Sequence, residues 1–408
     1  MTGRSTIPAR ALRVGLERAR WRTTVAAVGV ALVAAACGST SPTTSSGSST
    51  TKAPSAGALK IGFFGALTGA NAQLGININD GVKLALTQYQ SKGKGPAVTL
   101  EEYDSQGDPS QAPQLAQKAI SDHTVAVVGP AFSGESKTAD PIFQQAGIVS
   151  VTPSATDPTL AQHGWTYWHR IVGNDNTQGP AAASLIAKKL GAKRVAVIDD
   201  ASAYGKGIAD IVRSTLPTDG VTVVSAGRSI DPNATDYSAT VDAVKAANVD
   251  VIYYGGYYAA AGRLLKQMRD AGVKATFVSD DGVNDPKFVA AAGQADADGS
   301  YVTCPCGDVT GTTAGQAFTS AYQAAFHVAP GTYSAEGYDA ANIILTAISG
   351  GSTTASAINS YLASHTFPGI TKTVKFDASG DISGGGIYAY QVKAGSIVSL
   401  GLVSQLVG

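Results

Sequence analysis

The sequence predicts a doubly wound α/β protein built on parallel sheets, and three observations carry that prediction. From residue 58 onward, short β-rich runs alternate with helical segments. The runs are apolar on both faces, as strands covered by helices on either side require. At 408 residues, 44% of them apolar, the chain is too long for one ordinary core, which favours two domains.

Ahead of that pattern, residues 1–36 read as a signal peptide. Six arginines (Arg4, Arg10, Arg13, Arg18, Arg20, Arg22) precede TTVAAVGVALVAAAC, an apolar run too short to span a bilayer, which needs roughly 20 residues. Cys37 follows three alanines and resembles the cysteine of a bacterial lipobox, with Ala34 where that motif usually has leucine. It is the expected lipidation site, with ordinary secretion as the alternative. Residues 37–57 are Ser/Thr/Gly/Pro-rich and form the expected tether, since such a composition buries too little apolar surface to fold.

The strand and helix signals then run in order. ALKIGFFG precedes the helical GVKLALTQYQ, AVTLEEYD precedes PSQAPQLAQKAIS, and TVAVVGP precedes a segment ending at Gly147. Asp108 followed by Pro109 predicts a helix N-terminus. IVSVTP, YWHRIVG, TQGPAAASLIAKKL, RVAVIDD, YGKGIADIVRSTL, VTVVSAG and DYSATVDAVKAA continue the alternation. VDVIYYGG then reads as a strand turning through Gly255 and Gly256 into AAAGRLLKQMRDAG, where Ala261, Leu264, Leu265 and Met268 share one face and Gly272 stops the helix. Three helical segments, TAGQAFTSAYQAAF, GYDAANIILTAISG and TASAINSYLA, come before two final strands, TVKFDASGD and GIYAYQV. Periodicity alone leaves open whether those strands complete a sheet or link back to an earlier domain.

Composition excludes several classes of function. The arginine-rich start leaves 24 basic and 29 acidic residues beyond it, so no basic face for nucleic acid is expected. The five histidines (His123, His163, His169, His327, His365) show no metal-site spacing, and no nucleophile elbow, P-loop or dinucleotide fingerprint is present. Neither an enzyme nor a metal or cofactor is expected. Cys304 and Cys306 fall short of the three or four ligands of a metal site, and a local disulfide is an open possibility for an exported chain.

Polar clusters instead end the strands: PAFSGES, TPSATDP, DASAYGKG, YYAA and DDGVND. Small hydroxylic residues at helix N-termini leave N–H groups free for an anion. Ser133 and Thr156 fit a carboxylate in that way, and each is equally read as a helix cap. Asp281, at the end of ATFVSDDG, reads either as the partner of a ligand ammonium or as the cap of a helix beginning near Asn284 and Asp285.

The order of IGFFGALTGANAQLG, YDSQGDP, VVGPAFSGESKTADPIF, GIVSVTPSATDPTL, HRIVGNDNTQGPAA, AVIDDASAYGKG, DVIYYGGYY, RDAGVKATFVSDDGV and KFDASGD resembles the leucine/isoleucine/valine-binding proteins, type I periplasmic substrate-binding proteins of ABC importers. The resemblance runs from about residue 58 to 395. It implies two Rossmann-like lobes joined by three crossovers, closing on a ligand by hinge motion. The lobes then comprise 58–174 with 304–385, and 175–303 with 386–408. It also implies carboxylate contacts at Ser133, Ser154 and Thr156, ring contacts at Tyr204 and Tyr257, and an ammonium partner at Asp281, with Tyr258 packing beneath its lobe. Three positions depart from the family pattern. Asp281 stands where glutamate is common, Leu74 where an aromatic residue often closes the first lobe, and Ala335 where an aromatic wall can stand. Fewer walls imply a larger or differently shaped ligand side chain.

The expected function is that of an exported, lipid-anchored, monomeric receptor for an amino acid, apolar or branched-chain, that delivers it to an ABC permease. A receptor for an amide, urea or aromatic carboxylate, and a sensory binding protein, are the alternatives.

Overall fold

The computed structural model describes residues 57–408. Cys37, the expected leader 1–36 and nearly all of the expected tether 37–57 lie outside the described residues. In the first lobe, β1 (Leu59–Gly65) leads to α1 (Ala72–Ser91), β2 (Val98–Asp104) to α2 (Ala112–Ser121) and β3 (Thr124–Val128) to α3 (Ser133–Ala146), followed by β4 (Val149–Thr152) and β5 (Trp168–Arg170). The strands pair in the order β2-β1-β3-β4-β5, all parallel. Successive side chains leave a strand on opposite faces. Ile61 and Phe63 of β1 therefore enter one core, while Phe64 enters another with Tyr103, Ala116 and Phe143. Truncating a buried ring such as Phe63 to alanine costs about 3–5 kcal/mol.

One helix start differs from expectation. Asp108 and Pro109 do not open α2; the Asp108 carboxylate closes a turn by accepting from Ser110 N at 2.9 Å, and the helix begins only at Ala112. The short aspartate side chain bonds its own backbone two residues on, which favours a turn over a helical first residue.

The second lobe contains α4 (Asp175–Ser184), β6 (Arg194–Asp199), α5 (Ala203–Thr215), β7 (Thr222–Val224), α6 (Ser238–Ala247), β8 (Val251–Gly255), α7 (Tyr258–Asp270), β9 (Thr276–Ser279), α8 (Pro286–Ala292), α9 (Gln294–Ala297) and β10 (Tyr301–Cys304). On β8, Ile252 and Tyr254 face one core, and Val251 and Tyr253 the other, which explains why both faces of this strand read as apolar. The chain then forms α10 (Thr313–Phe326), α11 (Ser334–Ser349), α12 (Ala355–Ser364), the hairpin of β11 (Phe367–Pro368) and β12 (Thr373–Val374), β13 (Tyr388–Lys393), β14 (Ser396–Leu402) and the short α13 (Val403–Leu406).

The late helices pack on the first lobe, α11 along α1 and α12 against β3 and β4. Gly81 and Gly337 permit that close helix contact, since a Cβ on either would lie 2.2 and 2.4 Å from a carbonyl of the facing helix. Of the two expected final strands only GIYAYQV joins the second lobe, as β13, which pairs antiparallel with β10 and with β14 to complete the order β14-β13-β10-β9-β8-β6-β7. TVKFDASGD supplies only the two residues of β12, paired with β11, because Asp377 then folds the chain into a turn. The chain thus passes between the lobes three times: after β5, after β10 and before β13. At the second crossing Cys304 and Cys306 form a disulfide. Among the described residues no helix is long and apolar enough to cross a membrane.

Candidate ligand-binding site

In parallel sheets, ligands bind beyond the carboxyl ends of the strands, and the ends of β3, β4, β8 and β9 converge on one cavity between the lobes. The cavity is small in this arrangement of the lobes, about 20 Å³, room for about one water. Ser133 and Ser154 line it from the first lobe, with Leu74, Ile78 and Phe132. Tyr204, Tyr257 and Asp281 line it from the second. Thr156 is not among the lining residues; it is fully buried, and its Oγ1 has no hydrogen-bond partner.

On the first-lobe wall, Ser133 opens α3, whose first-turn N–H groups lack intrahelical acceptors. Its Oγ accepts from Asp157 N at 3.3 Å and donates to no described residue. Ser154 Oγ donates to Ala131 O at 2.7 Å. The Leu74 and Ile78 side chains lie one helical turn apart on α1 and supply an apolar surface beside these hydroxyls.

The opposite wall is built by the YYGGYY turn and the start of α5. Gly256 has φ +149°, and a Cβ there would sit 2.5 Å from an Asp200 oxygen, so only glycine fits the turn. The turn delivers Tyr257 to the cavity, edge-on to Phe132 across the lobes with ring centroids 5.0 Å apart, and 5.4 Å from Tyr204. Tyr258 does not pack beneath its lobe. As the first residue of α7 it points into the cleft, where its hydroxyl accepts from Gln73 N of α1 at 3.2 Å.

Asp281 is 3% exposed and accepts from two phenols, Tyr204 at 2.7 Å and Tyr333 at 2.8 Å. It caps no helix; Asp285 caps α8 by accepting from Lys287 N. Burial raises the Asp281 carboxyl above its ordinary range, while the two phenols pull it back. Burial and the neighbouring charge of Asp281 push Asp280 well above that range, and the same two causes act on Asp175. Both Asp175 oxygens lack partners. Among the described residues none of these three acids has an ion pair. An uncompensated carboxylate in such a site costs several kcal/mol, which a cationic group in the cavity would offset.

The aromatic wall late in the first lobe is Tyr333, not position 335. Ala335 is buried among Leu84, Phe318 and Tyr322 inside the first lobe, whereas Tyr333 precedes α11 and reaches Asp281 across the cleft. Its backbone is left-handed (φ +66°), a conformation that disfavours a bulky residue. The bonds Gly331 N to Ser334 Oγ (3.0 Å), Gly337 N to Tyr333 O (2.9 Å) and Thr332 Oγ1 to Asn284 O hold it there. With Phe132, Tyr204, Tyr257 and Tyr333 all lining the cavity, the inference of a larger ligand from missing walls does not stand. The sequence signal for it is the tyrosine of GTYSAEG, two residues before Ala335.

Among the described residues no group of three or more His, Cys, Asp and Glu could hold a metal. The sequence model of the periplasmic binding proteins matches residues 58–396. The Leu/Ile/Val-binding protein BraC3 of Rhizobium johnstonii is 32% identical over 346 residues, covering 84% of this chain and 93% of that protein. A leucine-, isoleucine-, valine-, threonine- and alanine-binding protein of Pseudomonas aeruginosa is 32% identical over 327 residues, 79% of this chain and 87% of its own. Among solved structures, the branched-chain amino acid transporter substrate-binding protein LivJ of Streptococcus pneumoniae, in complex with isoleucine, superposes with a TM-score of 0.78 at 27% identity, covering 84% of this chain and 99% of that one. With its two-lobed fold, its interlobe cavity and these relatives, the chain belongs to the periplasmic binding protein family, in the group of the Leu/Ile/Val-binding proteins.

Proposed function

We propose that this protein captures an apolar amino acid, of the branched-chain class, between its two lobes and delivers it to an ABC transporter permease. The observation that carries the ligand class is the polarity of the cavity. Hydroxyls and a helix N-terminus stand on the first-lobe wall, and an acid without a basic partner on the other. A free carboxylate suits the first wall, because helix N-termini stabilise anions. An ammonium suits Asp281, because it supplies the cation that the buried acid lacks. Leu74 and Ile78 offer the apolar side chain a dry surface. The relatives' names point to the same ligands.

In this reading Ser133 and Ser154 serve the carboxylate, Thr156 supports their loop from behind the cavity wall instead of touching the ligand as expected, Tyr204 and Tyr257 flank the ligand, and Asp281 holds the ammonium. One lobe comprises 58–174 and 304–385, the other 175–303 and 386–408, and the strand pairing supports that division. Members of this family act outside the cytoplasm, and the lipobox-like Cys37 would anchor this monomer to the membrane's outer face. A thermal-shift screen across the amino acids tests the reading, since a ligand that binds only the native state raises its melting temperature by mass action. Leucine, isoleucine or valine should give the largest shift. A larger shift with charged amino acids would reject the apolar class.

A further inference from the structure

The KFDASGD stretch near the end of the chain takes no part in lining the cavity, yet it is tied to the site through one buried cation. Arg170, the last residue of β5, has a fully buried side chain. Its Nε and one terminal nitrogen bond both oxygens of Asp381, at 3.0 and 2.5 Å. Its other terminal nitrogen donates to Ala155 O at 3.1 Å and to Asp157 O at 2.8 Å. These two carbonyls flank Thr156, in the loop that also carries Ser154. The planar fork of arginine can serve a carboxylate and two carbonyls at once, which a lysine cannot.

Asp381 extends the connection to the hinge. It lies on the third passage between the lobes and accepts from Asn174 Nδ2 at 3.1 Å, on the first passage. Asn174 also caps α4 of the second lobe. Asp377 shapes the KFDASGD turn by accepting from Ser379 Oγ at 2.6 Å and from Asp381 N at 3.1 Å, and Gly380 O accepts from Arg170 N at 2.8 Å. The loop meets the hinge once more where Asp175 N donates to Thr156 O at 3.0 Å.

We infer that Arg170 and Asp381 are positioning residues for ligand capture, the guanidinium setting the Ser154–Thr156 loop by its carbonyls and Asp381 joining that loop to two of the three interlobe passages. Lobe closure and the shape of the carboxylate-binding loop are thereby one motion. The assignment of that loop to the carboxylate rests on the proposed function above; its attachment to the hinge does not.

The test uses the full chain with Arg170→Lys, and Asp381→Asn as a second variant should the first not fold. Hydrogen exchange on the ligand-free protein should show the amides of Ala155 and Asp157, bonded to Thr152 Oγ1 and Ser133 Oγ, exchanging at least tenfold faster, while amides of β1 and β3 change less than twofold. Calorimetric titration with L-leucine should show affinity falling by tenfold or more in the folded variant. Exchange that rises evenly across the first lobe, or not at all, overturns the inference, as does unchanged leucine affinity despite a loosened loop. If the wild type itself binds no leucine, the ligand reading fails, and the exchange experiment alone decides the tie between loop and hinge.

Discussion

Replacing Asp281 with asparagine keeps the shape of the side chain and removes its charge. In the folded protein the carboxylate is buried and bonded by Tyr204 and Tyr333, so the phenols hold the cavity-facing geometry in either form. Two unit charges about 4 Å apart attract by about 4 kcal/mol at an effective dielectric of about 20, in line with the roughly 3–5 kcal/mol lost when one partner of a buried pair is removed. Some of that is recovered by the asparagine carbonyl, which still accepts a hydrogen bond. Leucine binding should therefore weaken by about 3 kcal/mol, or roughly two decades in Kd. The ligand-free protein should respond in the opposite sense. Because burial raises the folded-state pKa of Asp281 above its ordinary 3.8, the native state holds a proton that the unfolded chain has lost, and this group's contribution to stability falls as pH rises through that window. Asparagine removes the fall, so the variant's ligand-free melting temperature at pH 7 should equal or exceed that of the wild type. Calorimetric titration with L-leucine and with its deaminated analogue 4-methylpentanoate, alongside thermal unfolding, checks both effects. A leucine Kd within threefold of wild type, or equal losses for the two ligands, would refute the ammonium role.

Tyr258→Phe removes the cross-lobe bond to Gln73 N; ligand affinity should drop by about 0.5–1.5 kcal/mol, with a larger radius of gyration by small-angle scattering in the ligand-free state, and an unaltered radius would argue against a role in closure. Glu135 is raised from 4.5 to about 8 by burial, so its contribution to stability falls as pH climbs from 4.5 toward 8. Glu135→Gln should match wild-type stability at pH 4 and exceed it at pH 8, and a pH-independent difference would discount the buried proton. Cys37→Ser should release the protein from the membrane fraction; continued membrane association would locate the anchor elsewhere.

Much of the scaffold was legible because its signals are local. VDVIYYGG and the helix after it could be read from two-sided apolarity, a glycine turn and the stop at Gly272, whose φ is +80°. The return of GIYAYQV to the second lobe was not fixed by periodicity, because a strand's pattern does not say which sheet accepts it; pairing with β10 decides that. The lining of the cavity was legible where a residue follows a strand end, as with Asp281 after β9 and Tyr257 after β8. It was misread where reach across the cleft matters. Tyr333 and Tyr258 meet partners about 50 and 185 residues away in sequence, and the left-handed backbone that aims Tyr333 has no sequence period. Arg170 carried no warning in the sequence, since the acid it pairs with, Asp381, lies 211 residues further along the chain.

In the proposed binding mode, the cavity holds the two ends of an amino acid against opposite lobes. A crystal structure of the protein grown with L-leucine tests this most directly. Density for leucine should appear in the cavity lined by Ser133, Ser154, Tyr204 and Tyr257, with the carboxylate toward Ser133 and Ser154 and the ammonium within hydrogen-bond distance of Asp281. Leucine bound outside that cavity, or bound inside it with the carboxylate toward Asp281, would overturn that binding mode.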